Sequence, residues 1–367
     1  MIRALLILAQ IYPGNLPLGH YLDATLDDPV ARLDRRLAAG AATLQFRAGG
    51  PGYLPSLLEH LQINPDSQAL VFSKTSFQAT LIGPRNPRAI YFNDSVAVGF
   101  VPGGTVMEVA ALDPREGVAF YTLENRASEQ PRFARREVCL SCHHGPATLG
   151  VPGIFVGSVY PDSAGMPQQR AAIITDHRTP FQERWGGWYV DAARGHPKDR
   201  SNAVASDPAE PETLEPLPAF RATRYLAPHS DIVALMTFEH QTHMTNLLTR
   251  LNWLARIGEA SAIDAAIHDT VAYMTFEGEA ALAEPLEGAS PFARTFAQRG
   301  PRDRHGRSLR DFDLKTRLFR YALSYMIYSE AFDALPEAIR RQIYRALREK
   351  VPADALQILR ETKAGVS

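Results

Sequence analysis

The sequence predicts an α+β fold, with an antiparallel-sheet region in its first half and a mainly helical C-terminal region. Between residues 66 and 190, short apolar runs alternate with turn-forming pairs, as hairpin-linked strands do. Beyond residue 230, apolar residues recur at steps of three and four, the period of amphipathic helices. At 367 residues, the chain can bury a large core and hold more than one structural region.

Residues 1–65 form a helical or extended segment, with short amphipathic helices expected at 30–45 and 53–62, anchored by Leu33, Leu37, Leu54, Leu57, Leu58 and Leu61. Strands are expected at 70–73, 89–92, 96–100, 105–109 and 118–121. Gly83-Pro84, Asn93-Asp94, Pro102-Gly103-Gly104 and Asp113-Pro114 punctuate them. A second strand group covers 154–160, 171–175 and 188–190. Residues 191–219 are polar and rich in Pro and Glu, a loop or linker. The region 220–367 carries expected helices near 230–257, 261–277, 313–333, 336–348 and 354–363, with Pro336 suited to a helix start. Arg317, Tyr321, Tyr325 and Tyr328 fall at helical spacing, as core-packing residues do.

Lys and Arg total 39 against 40 Asp and Glu, a formal charge of -1, which argues against a nucleic-acid partner or a basic membrane-binding face. The basic run Gly300–Arg307 is interrupted by an acid and suits a solvated loop. No stretch approaches the roughly 20 apolar residues of an integral membrane segment.

Both cysteines of the chain lie in Cys139-Leu-Ser-Cys142-His143. Two thiols three positions apart, with a histidine directly behind, are the requirement for covalent c-type haem: the thiols add to the vinyl groups and the imidazole ligates the iron. A redox dithiol, a disulfide or part of a zinc site would use the same thiols. Zinc would need further ligands, and His143 and His144 are poorly spaced to supply them. The charged Arg135-Arg136-Glu137 and the helix-breaking Gly145-Pro146 also sit badly with a thioredoxin-like motif. One haem c in an α+β scaffold is therefore the leading expectation. It implies a periplasmic or otherwise exported protein, although Met1–Gln10 makes a weak leader, so the native signal peptide is expected to be absent or truncated in this chain.

A haem iron held by His143 has a sixth position whose occupant decides function. Met166, in a Gly-Met-Pro turn, is one candidate ligand. His240 and His243 share an apolar helical stripe with Met236, Leu247, Leu251 and Leu254, and His240 is the stronger candidate for the iron. The segment 176–189 packs His177, Arg178, Arg184, Trp185 and Trp188 into a short span. Arg178 and Trp185 are candidates to hold the haem, and His177, His240 and Arg184 to perform acid–base and electrostatic steps over it. Polar groups in 72–78 and 88–94 could line a pocket rim or bond within a hairpin.

The Cys139–His143 motif resembles the attachment site of c-type cytochromes. The resemblance extends to a family of exported bacterial mono-haem c-type cytochromes through 70–78, 87–94, Arg184-Trp-Gly-Gly-Trp-Tyr-Val190, Glu239-His-Gln241 and 325–336. It implies covalent haem and export, and it carries no catalytic assignment. The chain departs from the family at Asp191-Ala-Ala-Arg-Gly-His196, so no pocket role follows for His196, and Met166 is not a family feature. The functional expectation is a periplasmic haem oxidoreductase acting on a small molecule at an open or weakly held iron, with a redox partner protein. An electron-transfer cytochrome with two strong ligands and a haem-based gas sensor are the alternatives.

Overall fold

The computed structural model describes residues 16–168, 172–207, 209–258 and 260–366. The apolar run at 1–10, and Ala171, the first residue of the strand expected at 171–175, lie outside the described residues.

The first helices are α1 (Gly19–Asp23), α2 (Pro29–Ala38) and α3 (Leu54–His60). Asp28 caps α2 by accepting from Val30 N and Ala31 N, with Pro29 in the first helical position, where its missing N–H costs nothing. Both helices expected from the sequence before residue 65 form, shorter than their apolar spans.

The chain then builds a seven-stranded antiparallel sheet from β1 (Ala69–Val71), β2 (Arg88–Phe92), β3 (Val96–Phe100), β4 (Val106–Asp113), β5 (Gly117–Glu124) and β6 (Phe133–Arg135). After α4 (Leu140–His143) and the separate hairpin of β7 (Val156–Ser158) and β8 (Ile173–Thr175), β9 (Trp188–Tyr189) returns to pair with β1. The strand order is β6-β5-β4-β3-β2-β1-β9. The expected loop at 191–219 holds three short strands. β10 (Ala192–Arg194) pairs with β13 (Glu287–Gly288), and β11 (Ala203–Ala205) pairs with β12 (Leu214–Pro216).

Side chains alternate across the sheet. One face, with Tyr91, Val98, Val109 and Tyr121, packs against α2 and α3. The other, with Ile90, Phe92, Ala97, Leu112 and Phe120, faces α5 (Ile232–Ile257). That helix is buried almost all round; Asp231 caps its start and Gly258, at φ 85, its end. It packs on α6 (Ala260–Met274), and α7 (Phe292–Ala297), α8 (Glu330–Asp333), α9 (Glu337–Lys350) and α10 (Ala353–Thr362) complete the helical half. Among the described residues, no helix is long and apolar enough to cross a membrane.

The helix expected at 313–333 does not form. Leu314 sits at φ 54, and Ser324 and Ser329 are extended, each capping a short turn through its side chain. The segment bonds across to distant parts of the same chain, as in Leu282 N–H to Thr316 O and Ser324 N–H to Met274 O. Its aromatic residues reach the core from turns, and their spacing mimics a helical stripe.

Candidate functional site

The Cys139–His143 segment leaves β6, winds through a 3-10 turn over Glu137–Cys139 and continues as α4. Leu140 anchors it in the core. A helical turn sets Cys139, Cys142 and His143 on one side, since positions three and four apart share a face. Neither thiol is bridged, and Cys142 is exposed.

His143 lies with its ring 4.8 Å from Phe120 and 5.4 Å from Phe155. Its Nδ1 is 2.9 Å from the carbonyl oxygen of Gly153. That contact requires the Nδ1–H tautomer, which puts the Nε2 lone pair on the other side of the ring, where the hydrogen bonds of the described residues give it no partner. Burial pushes the imidazole down to about 4, against the opposing pull of the Gly153 carbonyl, so it is neutral at physiological pH. A neutral imidazole with one nitrogen tied to a backbone carbonyl is the form in which histidine binds metals.

The backbone beside the Gly153 carbonyl is held by α5. Asn246 on α5 donates Nδ2–H to Ile154 O at 2.9 Å, and a Cβ on Gly153 would stand 2.1 Å from Asn246 Oδ1. Only glycine lets the backbone approach α5 this closely. Thus Asn246 on α5 holds the backbone one residue beyond the carbonyl that engages His143. No pattern in the sequence marks Asn246, and Gly153 is marked only by being a glycine.

Beside this turn, the α5-facing side of the sheet is mostly buried, with Ala97, Gly99, Phe120 and Thr122 all covered. It presents Ala97 opposite Ala110 and Phe120 in one row, and Gly99 opposite Glu108 and Thr122 in the next. Toward α5 the space closes to a crevice of about 10 Å³, lined by Ala97, Ala110, Val118, Ile154, Phe238 and Gln241, which is room for one water. Away from α5, Ala110, Glu108 and Arg88 are partly open to solvent. Glu108 Oε2 accepts from Arg88 Nη1 at 2.9 Å, and Glu108 Oε1 from Ser76 at 3.4 Å and Gln78 at 3.3 Å. The rim segments 72–78 and 88–94 therefore meet at Glu108, a residue that the sequence did not mark.

The other chemistry-bearing side chains gather elsewhere. His177 and His240 are buried, with their Nδ1 atoms 2.8 Å apart, and His240 Nε2 is 2.7 Å from Ser324 Oγ. Their rings stack among Tyr273 and Phe276. Both nitrogens of His240 are thus engaged. Burial holds His240 at about 3 and drives His177 well below its ordinary value. His243 lies beside Asp176, whose carboxylate binds Arg178 at 2.6 Å. Arg178 also stacks on Tyr273.

Arg184 is 1% exposed and pairs with the fully buried Glu239 at 3.1 Å. It also donates to the carbonyls of Thr179 at 2.7 Å and His177 at 2.9 Å. Thr175 donates to Glu239 at 2.6 Å. Burial pushes Glu239 up to about 7, against the opposing Arg184 charge and the Thr175 bond. Trp185 is fully buried at φ 63, a strained conformation for a bulky residue, with Gly186 and Gly187 following it under Val159.

The structure therefore brings together His177, His240, Arg178, Arg184 and Trp185 around the α5–α6 core. Among the described residues, no hydrogen bond, ion pair or ring contact joins them to the Cys139–His143 turn. Met166 is 49% exposed on a turn held by Asp162, and His196 pairs with Asp199 near the surface.

The donor set fits some occupants better than others. Burial, with Glu108 adding to it, pushes the Cys139 thiol up to about 11, the opposite of what a redox dithiol needs. No group of three or more His, Cys, Asp or Glu side chains able to hold a metal converges among the described residues, so a closed zinc site is not formed there. Comparison with protein-family models, curated proteins and solved structures finds no match in any of the three.

Proposed function

We propose that this chain is an exported mono-haem c-type oxidoreductase, with haem linked through Cys139 and Cys142 and its iron ligated by His143. The observation that carries this reading is the state of His143: Nδ1 is tied to the Gly153 carbonyl while Nε2 has no described partner, one helical position behind an exposed, unbridged thiol. When bound, the haem would supply one-electron chemistry and a site for a small ligand. The chain supplies the rest. The Gly153 carbonyl holds the imidazole at Nδ1, Asn246 holds the backbone beside it, and Phe120 and Phe155 pack against the ring.

The placement of the other candidates favours an open or weakly held sixth position over a carrier with two strong ligands. His240 is bonded at both nitrogens, His243 is engaged with Asp176 and Arg178, and Met166 sits on an exposed turn. In this reading, His177, His240 and Arg184 build the core behind the haem, and a redox partner protein delivers or removes electrons.

Protein matured in an export-competent host tests the proposal. Intact mass should show one haem added to the chain, lost in Cys139→Ala/Cys142→Ala. The oxidised spectrum should be high- or mixed-spin and should move on adding cyanide or imidazole. An unmodified polypeptide would overturn the haem reading; a low-spin spectrum unmoved by either ligand would turn it into an electron carrier.

A further inference from the structure

Exposed apolar surface is concentrated at one place on the molecule. Of the six large apolar side chains that stand exposed among the described residues, Phe77, Leu81 and Met166 lie on two turns that touch each other, and Phe77 is 71% exposed. The first turn, 74–84, leads from β1 to β2, and the second, 161–167, lies between β7 and β8. They meet at a glycine. Lys74 N–H donates to Gly165 O at 2.8 Å, and a Cβ on Gly165 would stand 3.4 Å from Gly83 Cα and 2.5 Å from Phe72 O.

Both turns are tied down at several points. Asn86 donates to Leu81 O at 2.9 Å, and the side chains of Ser76 and Gln78, on either side of Phe77, donate to Glu108. Asp162 Oδ1 accepts from Ala164 N and Met166 N, each at 2.8 Å. Large apolar side chains held in water on a fixed backbone mark an interface, and the fixed backbone lowers the entropy lost on binding.

Charge is divided across this patch. Arg85 and Arg224 are exposed on one flank, where Arg224 bonds Asn86 Oδ1 at 2.7 Å behind Leu81, and Lys74 stands between the two turns. Among the described residues, none of these three cations has an acidic partner. On the other flank, Ala205 N–H donates to Pro161 O at 2.7 Å, so the β11–β12 hairpin continues the second turn. Asp207 and Glu210 in its loop and Glu215 on β12 are exposed, with no basic partner among the described residues. The order across the surface is basic, apolar, acidic.

We propose that this surface binds a second copy of the chain, in a two-fold symmetric dimer centred on Phe77, Leu81 and Met166. A two-fold axis through the apolar centre lays the basic flank of one copy on the acidic flank of the other. The same operation doubles the apolar contribution, so each copy supplies the complement that the other needs. An anionic membrane or an acidic protein would suit the arginines but would face the carboxylates with like charge. Flanks of opposite sign favour self-recognition. The proposal is independent of the haem reading.

Sedimentation equilibrium of the full chain over a range of concentrations tests it, with circular dichroism confirming the fold of each variant. The chain should form dimers that weaken as salt is added, because the flanking charges are exposed. Phe77→Asp should raise the dissociation constant by at least about tenfold, as loss of a central anchor does. Arg85→Glu and Glu210→Arg should each weaken the dimer alone, and mixing the two variants should restore association, since each then meets a flank of opposite sign. A monomer at every concentration would overturn the proposal. So would a dimer indifferent to Phe77→Asp, or a mixture that associates no better than either charge variant by itself. A monomer that binds phosphatidylglycerol vesicles through Phe77 would overturn it too, and would give the patch to a membrane.

Discussion

The Arg184–Glu239 pair should fail asymmetrically when each partner is removed, because only one of the two can shed its charge. Arg184 and Glu239 are 1% and 0% exposed, and their charges sit 3.1 Å apart. Replacing Glu239 with Leu strands a guanidinium that does not deprotonate in proteins. Its bonds to the carbonyls of Thr179 and His177 remain but bring no counter-charge. Above about pH 7, where Glu239 is ionised, breaking a buried pair in this way costs about 3–5 kcal/mol.

Replacing Arg184 with Met leaves a carboxyl already held up at about 7, which can take a proton and stay neutral. At pH 5 the loss is then confined to hydrogen bonds and packing, about 2 kcal/mol. The sign with pH follows from linkage. A folded pKa raised above the unfolded value means that the folded state holds more protons, so stability falls as pH rises. The unaltered protein shares that fall up to about pH 7, where Glu239 ionises beside Arg184. Above that, only Arg184→Met keeps losing stability, by up to about 1.4 kcal/mol per pH unit. Urea unfolding at pH 5, 7 and 8.5, followed by circular dichroism and tryptophan fluorescence with coincident transitions, measures all three proteins. If Arg184→Met and the unaltered chain run parallel between pH 7 and 8.5, the reasoning fails.

His240→Phe should leave the haem absorption spectrum unchanged, since no contact among the described residues joins His240 to the Cys139–His143 turn; a shifted Soret band would return it to the haem pocket. The same variant removes a histidine held at about 3 against an unfolded value near 6.5. A depressed histidine makes the unfolded state bind more protons, so the native protein loses stability as pH falls below about 6.5 toward 3, and the stability of His240→Phe in urea should fall less steeply there by up to about 1.4 kcal/mol per unit. Gly153→Ala places a Cβ 2.1 Å from Asn246 Oδ1, and attached haem should then show a disturbed axial-ligand spectrum with the fold retained by circular dichroism. Asn246→Leu, which abandons the Ile154 carbonyl, should disturb the same spectrum in the same direction; normal spectra in both variants would break the link from α5 to His143.

Much of the fold was legible because it follows local rules. Strands β2, β3 and β5 lie where apolar runs are bounded by turn pairs, and α5 spans Ile232–Ile257 against an expected 230–257. The Cys139–His143 motif was legible for a different reason, since the chemistry it suggests needs fixed residue types at fixed spacing. The missing helix at 313–333 shows where periodicity misleads. Tyr321, Tyr325 and Tyr328 keep a helical interval, but the serines at 324 and 329 bond their own backbone and break the run.

The candidate site was less legible because its supporting residues are marked by no side-chain chemistry in one dimension. His240 and His177 attracted attention as titratable groups on an apolar stripe, yet burial satisfied them with each other and with Ser324. Asn246 stands on the same helix six positions beyond His240, and its effect on His143 depends on a backbone carbonyl about ninety residues away in sequence. Glu108 likewise gains meaning only when two distant segments converge on it. A single α5 thus serves both halves of the molecule: its histidine face closes the aromatic core with α6, and its Asn246 holds the backbone next to the carbonyl that binds His143. Geometry that orients a ligand through a helix one layer behind it also implies that core substitutions along α5 should register at the proposed iron in proportion to how far they displace Asn246, and not in proportion to the stability that they remove.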